Sequence, residues 1–292
     1  MSSVREFWLT NSKGEKYSLH TLSAFFNLPT GLGYGVTTNV VKLGNSDLIT
    51  SESYNLPAAT GEIIFMGTRK QVYQEYLNFS KFLYHRPITL HYKTPNSNTS
   101  YYCLVRVIDL QKSEVSQADG ILHCPIQLYR QTMWYDDRLN VLEARNIVLD
   151  GKEYPLDRPY MYGFVSTSNM ELYNDGVADA PILVEVNGES TDVIFDLYDE
   201  QNVKYGAARI IGTYDYIKID SEDLNQYIEL QRNGASLPNA INYQDLTVGD
   251  PRQVYVTFLK LKAGKSKMVF NFGTEGFNGT VKISWRNTYV TV

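Results

Sequence analysis

The sequence is poor in the residues from which metal centres and nucleophilic sites are built. It has two cysteines, Cys103 and Cys124, and four histidines, at 20, 85, 91 and 123, in 292 residues. Zinc sites need paired Cys or His at short spacing, and no second pair accompanies these cysteines. There is no Gly-x-Ser-x-Gly elbow and no His-Glu-x-x-His, so neither a catalytic triad nor a zinc protease is announced. Each histidine reads as a strand or helix surface residue. Both cysteines lie in apolar runs and read as free core thiols in a reducing compartment. No stretch approaches the ~20 apolar residues that span a bilayer. The opening Met-Ser-Ser-Val-Arg-Glu-Phe-Trp lacks the apolar core of a signal peptide, so the chain is expected to be made and kept in the cytosol. Repeat periods and low-complexity tracts are also missing.

Clustered charge is scarce too. Charged residues make up 20% of the chain, with a net charge of −5. Up to Arg145 there are 14 basic against 12 acidic residues, and beyond it 13 against 20, so the halves carry +2 and −7. A weakly basic half without a Lys/Arg patch and an acidic second half exclude specific nucleic-acid binding. The glycines at 31, 33 and 35 do not have the Gly-x-Gly-x-x-Gly spacing. A Val-Thr-Thr-Asn-Val-Val run follows them in place of a helix, so they read as a bend between strands, not a phosphate cradle. Carboxylates are frequent at 196–200 and 220–223, but beside turn residues they read as solvated corners rather than a glycosidase pair. Nothing calls for a metal or a cofactor, and the chain is not read as an enzyme.

What is abundant is tyrosine, 23 copies against 12 Phe and 3 Trp. An apolar ring with a polar tip suits strands and interfaces. The length favours two domains. Short runs rich in Ile, Val, Tyr and Leu at 63–65, 88–92, 101–110 and 121–129 alternate with turn chemistry at 95–98 and 119–120, which predicts strands and two hairpins. One segment differs. Residues 68–86 have no interior Gly or Pro, and Val72, Tyr76, Phe79 and Leu83 draw one apolar stripe at helical spacing. Thr68 with Gln71 forms a capping box, and Pro87 stops the helix. The second half repeats the β texture at 160–173, 181–187, 192–197, 208–211, 214–219, 227–230, 254–261, 267–272 and 280–285, the spacing of a sandwich. A polar stretch at 144–157 coincides with the charge shift and marks the expected junction between domains 1–145 and 146–292. Residues 231–252 read as a long surface loop.

Several blocks carry a family resemblance. The opening Phe-Trp-Leu-Thr-Asn-Ser-Lys-Gly-Glu at 7–15, with Asn11 and Gly14, is followed by Phe-Phe-Asn-Leu-Pro-Thr-Gly-Leu-Gly-Tyr at 25–34, with Gly31 and Gly33. Next come Gly-Glu-Ile-Ile-Phe-Met-Gly at 61–67, Gly-Ile-Leu-His-Cys-Pro-Ile-Gln-Leu at 120–128, and Trp134-Tyr135. In this order they resemble distal tail proteins (Dit) of long-tailed phages infecting Gram-positive bacteria. Looser blocks at 173–182, 261–264 and 279–283 resemble the C-terminal domain of that family. The resemblance implies a mainly β chain: an N-terminal β-sandwich with one α-helix and a protruding hairpin, then a galectin-like, carbohydrate-binding-module-like β-sandwich. It further implies a homohexameric ring at the virion tail tip, assembled in the host cytoplasm. Such a ring joins the tail tube protein to the tail-associated lysin or tail fibre and offers a platform to a receptor-binding protein. One departure is specific. Galectins bind galactosides through a His-x-Asn-x-Arg strand, but every histidine here precedes residue 124, so no galactoside site is expected. A host cell-wall glycan-binding module is the alternative function. The final strand, at 280–292, is a candidate for returning to the N-terminal domain.

Overall fold

The computed structural model describes residues 5–43, 46–95, 98–114, 120–147, 167–236, 254–256, 258–272 and 277–292. By compactness the chain divides into two units, one formed by Met1–Asp137 with Thr288–Val292 and the other by Arg138–Asn287. The division falls before residue 145 because the strand Asn140–Ile147 pairs with Phe277–Trp285 inside the second unit. Most of the polar stretch at 144–157, the tip of the turn at 95–98, and residues 237–252 of the expected loop lie outside the described residues.

The first unit begins with β1 (Glu6–Thr10), β2 (Lys16–Ser18), β3 (Ala24–Thr30), β4 (Gly35–Leu43), β5 (Ser46–Asn55) and β6 (Ala59–Met66). The helix α1 (Arg69–Tyr84) follows, then β7 (Ile88–Lys93), β8 (Ser100–Leu110), β9 (Ile121–Arg130) and β10 (Trp134–Asp136). Its main sheet runs β2-β1-β7-β8-β9-β6-β3, every neighbouring pair antiparallel. Alternation decides what is buried. Phe7 and Leu9, Ile88 and Leu90, Cys103 and Val105, and Leu122, Cys124, Ile126 and Leu128 all face one core, as the period of two in a strand requires. Both cysteines are free and buried, and burial pushes both thiols up to about 12.

The helix covers part of this core. Gln71 Oε1 accepts from the Thr68 backbone N–H at 3.0 Å and from its hydroxyl at 2.7 Å, fastening the first turn. Val72, Phe79 and Leu83 are buried and Tyr76 is partly buried against the core. Phe82 is buried as well, so the stripe is wider than the four residues singled out from spacing. Phe79 packs against Phe65 and Tyr17, with centroids at 5.8 and 4.9 Å. The backbone leaves the helix at His85, just before Pro87.

The second unit holds β11 (Asn140–Ile147), β12 (Thr167–Asn174), β13 (Ala180–Asp199), β14 (Lys204–Asp220), β15 (Tyr227–Arg232), β16 (Ala235–Ser236), β17 (Val254–Val256), β18 (Lys260–Leu261), β19 (Gly264–Phe272) and β20 (Phe277–Trp285). Its path is β11-β20-β13-β14-β15-β16, while β19 joins β12 to β13. The sequence pattern breaks both long strands in two, at 188–191 and 212–213, but β13 and β14 stay paired from Leu183–Asp220 to Tyr198–Lys204. Gly188 and Gly212, at φ +125° and +110°, sit where the register shifts. They make bulges that bend the ladder without ending it. Conversely, the run at 254–261 contains two short strands, β17 and β18. The core is aliphatic and aromatic, including Val184, Val186, Phe195, Ile210, Ile219, Phe270 and Ile283. After β20 the chain contributes β21 (Thr288–Tyr289) to the first unit, where it pairs with β10. The strand segment expected at 280–292 is thus divided: residues 280–285 stay in the second unit, and 288–289 return.

Candidate functional site

The first unit contains a ribbon unlike the rest of the molecule. Among the described residues, β4 and β5 pair only with each other, from Gly35–Asn55 to Leu43–Ser46. No described residue of either strand is buried. Val36 faces Tyr54 across the ladder, Val40 faces Ile49, and Val41 faces Leu48. These six side chains are 45 to 55% exposed. A register shift between Asn39 and Val40 is followed by consecutive apolar pairs. Since neighbouring residues of a strand point to opposite faces, both faces of the distal ribbon are apolar.

The root of this ribbon is anchored. The bend at 31–34 leads from β3 into β4. Gly31 has φ +72°, and a Cβ there would lie 1.9 Å from the Ala58 carbonyl oxygen, so only glycine fits. Gly33 has nothing closer than 3.8 Å to such an atom, so space does not dictate its identity. Arg130, 1% exposed, aims its guanidinium at this bend. Nη1 donates to the carbonyls of Gly31, Leu32 and Gly33, and Nη2 donates to Val290 O at 3.4 Å. The fully buried Trp134 donates from Nε1 to Leu32 O at 3.0 Å, and Arg130 lies over its ring, 5.1 Å from the centroid. Burial lowers the pKa of Arg130, but guanidinium remains charged because its ordinary pKa is so high. The result is one knot joining the ribbon root, the end of β9, and the C-terminal segment after β21.

Asn11 and Gly14 lie at a different corner. The Asn11 side chain donates to Glu15 Oε2 at 2.7 Å and to Phe82 O at 3.4 Å, while its Oδ1 accepts from the backbone N–H groups of Lys13 and Glu15. Gly14, at φ +75°, completes the turn through its N–H to Asn11 O. These residues therefore tie the β1–β2 turn to the end of α1. Tyr135 stands apart from Trp134 because the strand turns it to the opposite face. There Trp8, His91, Tyr102 and Tyr135 occupy successive partner positions across β1, β7, β8 and β10. Trp8 stacks on His91 at 4.9 Å, and His91 Nε2 lies 2.9 Å from Thr10 Oγ1. Burial, reinforced by Lys16, lowers the His91 pKa to about 4.

The family positions thus fall into three places: Asn11 and Gly14 at the helix end, Gly31, Gly33 and Trp134 at the ribbon root, and Tyr135, itself buried, on the sheet face opposite Trp134. Arg130 was not singled out from sequence. A signal was present, because Leu122, Cys124, Ile126 and Leu128 set the inward parity of β9 and Arg130 continues it. Among the described residues no group of three or more His, Cys, Asp or Glu could hold a metal ion, and no helix is long and apolar enough to cross a membrane.

Comparison with known proteins matches this arrangement to tail components. Residues 6–131 match the family described as distal tail protein, N-terminal domain. No curated protein matches the chain in sequence. Among solved structures it is similar to a chain of the phage P2 baseplate in its activated conformation with calcium, at 14% identity and TM-score 0.60, covering 99% of this chain and 100% of that one. It is also similar to the SPP1 Dit protein, described as a paradigm of the hub adsorption apparatus in phages infecting Gram-positive bacteria. That match has 15% identity and TM-score 0.57, and covers 96% of this chain and 98% of the other. At such identities these likenesses establish the mainly β fold. Residues 6–131 therefore have the character of a distal tail protein N-terminal domain, and the fold of the chain is similar to that of phage baseplate and Dit proteins.

Proposed function

We propose that this chain is the structural hub of the tail tip, forming a homohexameric ring that joins the tail tube protein to the tail-associated lysin or tail fibre and gives a receptor-binding protein its platform. In this reading it acts through geometry, without catalysis or cofactor, and is assembled in the host cytoplasm before it takes its place at the virion tail tip. The observation that carries the reading is the β4–β5 ribbon. A two-stranded ribbon is marginal in water, and this one exposes apolar pairs on both faces. A neighbouring subunit would supply the missing cover. A closed ring needs two different complementary patches on each subunit, and a ribbon held at its root and received by the next copy is one such patch. Charge favours the same half: six copies of the +2 portion repel less than six of the −7 portion.

Light scattering and negative-stain microscopy of the full chain, alone and with tail tube protein, test the proposal. Six-fold rings are expected, and the double substitution Val41→Asp, Leu48→Asp should leave the monomer folded while abolishing them. Monomers or two-fold dimers under every condition would refute the ring. Rings unaffected by the double substitution would remove the ribbon from the interface.

A further inference from the structure

The chain contains three Asn-Gly pairs, at 187–188, 233–234 and 278–279. This dipeptide carries its own chemistry. The glycine nitrogen is not screened by a side chain, so it reaches the Cγ of the preceding asparagine wherever the backbone around it is free to turn. The three pairs differ in that freedom.

Two of them clamp each other. Asn187 sits in β13 between Tyr216 of β14 and Thr280 of β20. A Cβ on Gly188 would lie 2.9 Å from Gly279 Cα, and one on Gly279 would lie 2.1 Å from Asn187 O. Backbone packed this closely has no room for the rotation that the reaction needs. The third pair is open. Asn233 and Gly234, at φ +54° and +68°, form the two-residue turn between β15 and β16, and two positive φ values make it the type I′ turn that Asn-Gly favours. Both residues are exposed, and a Cβ on Gly234 would meet nothing within 4 Å. β16 adds only the pairs Gln231–Ser236 and Arg232–Ala235, and its own residues are exposed, so little burial opposes opening of the turn. One bond tethers the glycine nitrogen itself: Gly234 N–H donates to Asp215 Oδ2 at 3.3 Å.

We propose that Asn233 is a site of spontaneous deamidation and that Asp215 restrains it. Gly234 N gives up its proton to base in the solvent and attacks Asn233 Cγ. The new C–N bond closes a succinimide, and the Cγ–NH2 bond breaks as the amino group takes up a proton and leaves as ammonia. Water then opens the ring at either carbonyl, giving aspartate or isoaspartate at 233. Asp215 slows the first step in two ways. Its hydrogen bond must break before the nitrogen turns, and its negative charge disfavours another on the nitrogen beside it. Isoaspartate carries Cβ in the main chain, and the lengthened turn no longer holds Arg232 opposite Ala235. The aged protein therefore loses β16, leaves that edge of β15 without its partner, and gains a negative charge in its acidic half.

Ageing the full-length protein in mildly alkaline buffer tests this, with peptide mass mapping and separation of the aspartyl and isoaspartyl forms. In the folded protein Asn233 should convert at least tenfold faster than Asn187 or Asn278. In denaturant the three pairs should convert at similar rates, which ties the selectivity to the fold. Asp215→Ala should speed conversion at Asn233 several-fold, and so should Asp215→Asn, which keeps the shape and removes the charge. Asn233→Gln should suppress the reaction, because glutamine has to close a larger ring. Conversion at Asn233 no faster than at the other two pairs in the folded protein overturns the proposal. A rate that both Asp215 variants leave unchanged or lower overturns the restraint by Asp215.

Discussion

Two of the molecule's long antiparallel hairpins, β13–β14 and β4–β5, have opposite relations to water. In β13–β14 inward residues such as Val184, Val186, Val193, Phe195, Ile210 and Ile219 are fully buried. In β4–β5 the backbone pairing is as continuous, yet no described side chain is buried. Ladder hydrogen bonds exchange for bonds to water and contribute little net stability. Burial of apolar surface does most of the stabilising. The first hairpin is therefore held by its core, and the second by its anchored root, so its apolar side chains remain available for association. Truncating Phe195 to Ala should expose the difference at its largest, with a loss of about 3 to 5 kcal/mol from the second unit in a denaturant melt. A loss below about 1 kcal/mol would mean that β13 is not held by its core.

The helix gives an intermediate case, because one face behaves like β13 and the other like the ribbon. Leu83→Ala should cost the first unit about 2 to 4 kcal/mol, whereas the exposed Gln74→Ala should stay within about 0.5 kcal/mol. Equal melting midpoints for the two variants would contradict the burial of the stripe.

That helix was also the most legible element, and the reason is physical. Its apolar residues recur at a period belonging to no strand, and Thr68, Gln71 and Pro87 mark its ends. Phe82 escaped the stripe because it widens the buried face instead of extending the row. The breaks expected at Gly188 and Gly212 were misplaced for a related reason: glycine can end a strand or bend it through a bulge, and only long-range pairing decides. The ribbon was least legible from periodicity, since a strand without a buried face has no alternation to detect. Its protruding form came from the family resemblance. At the ribbon root, Gly31 and Trp134 were named through that resemblance, but their partner Arg130 needed the inward parity of β9 to be followed to its last residue.

Acid provides a smaller perturbation confined to the first unit. His91 has an ordinary pKa near 6.5 and one of about 4 in the fold, so the unfolded chain takes up the proton first. Its contribution is fully present above pH 6.5 and is lost as pH falls toward 4, after which it levels off. Allowing for partial solvent exposure, the loss should be on the order of 1 to 2 kcal/mol. His91→Gln should flatten that part of the stability profile of the first unit. An unchanged profile would show that the Trp8–His91–Tyr102 row does not exclude the charged imidazole.

The smallest expected effect most directly sharpens the contrast between the hairpins. Val41→Ala removes the same two methyl groups as Val193→Ala in β13, but Val41 is 48% exposed and Val193 is fully buried. In the unassembled protein the ribbon variant should therefore change stability by less than about 0.5 kcal/mol, while the core variant costs about 1 to 3 kcal/mol. Hydrogen exchange supplies the second half of the test. Amides of β4 and β5 should exchange fast in the monomer, because opening the ribbon uncovers no apolar core, and should become protected when the ring forms. Under assembling conditions Val41→Ala should then raise the concentration needed for rings, since methyl groups that cost nothing to lose in water are buried against a neighbour. If Val41→Ala costs more than about 1.5 kcal/mol in the monomer, the ribbon already lies on its own chain. The exposed apolar pairs would then no longer argue for a partner.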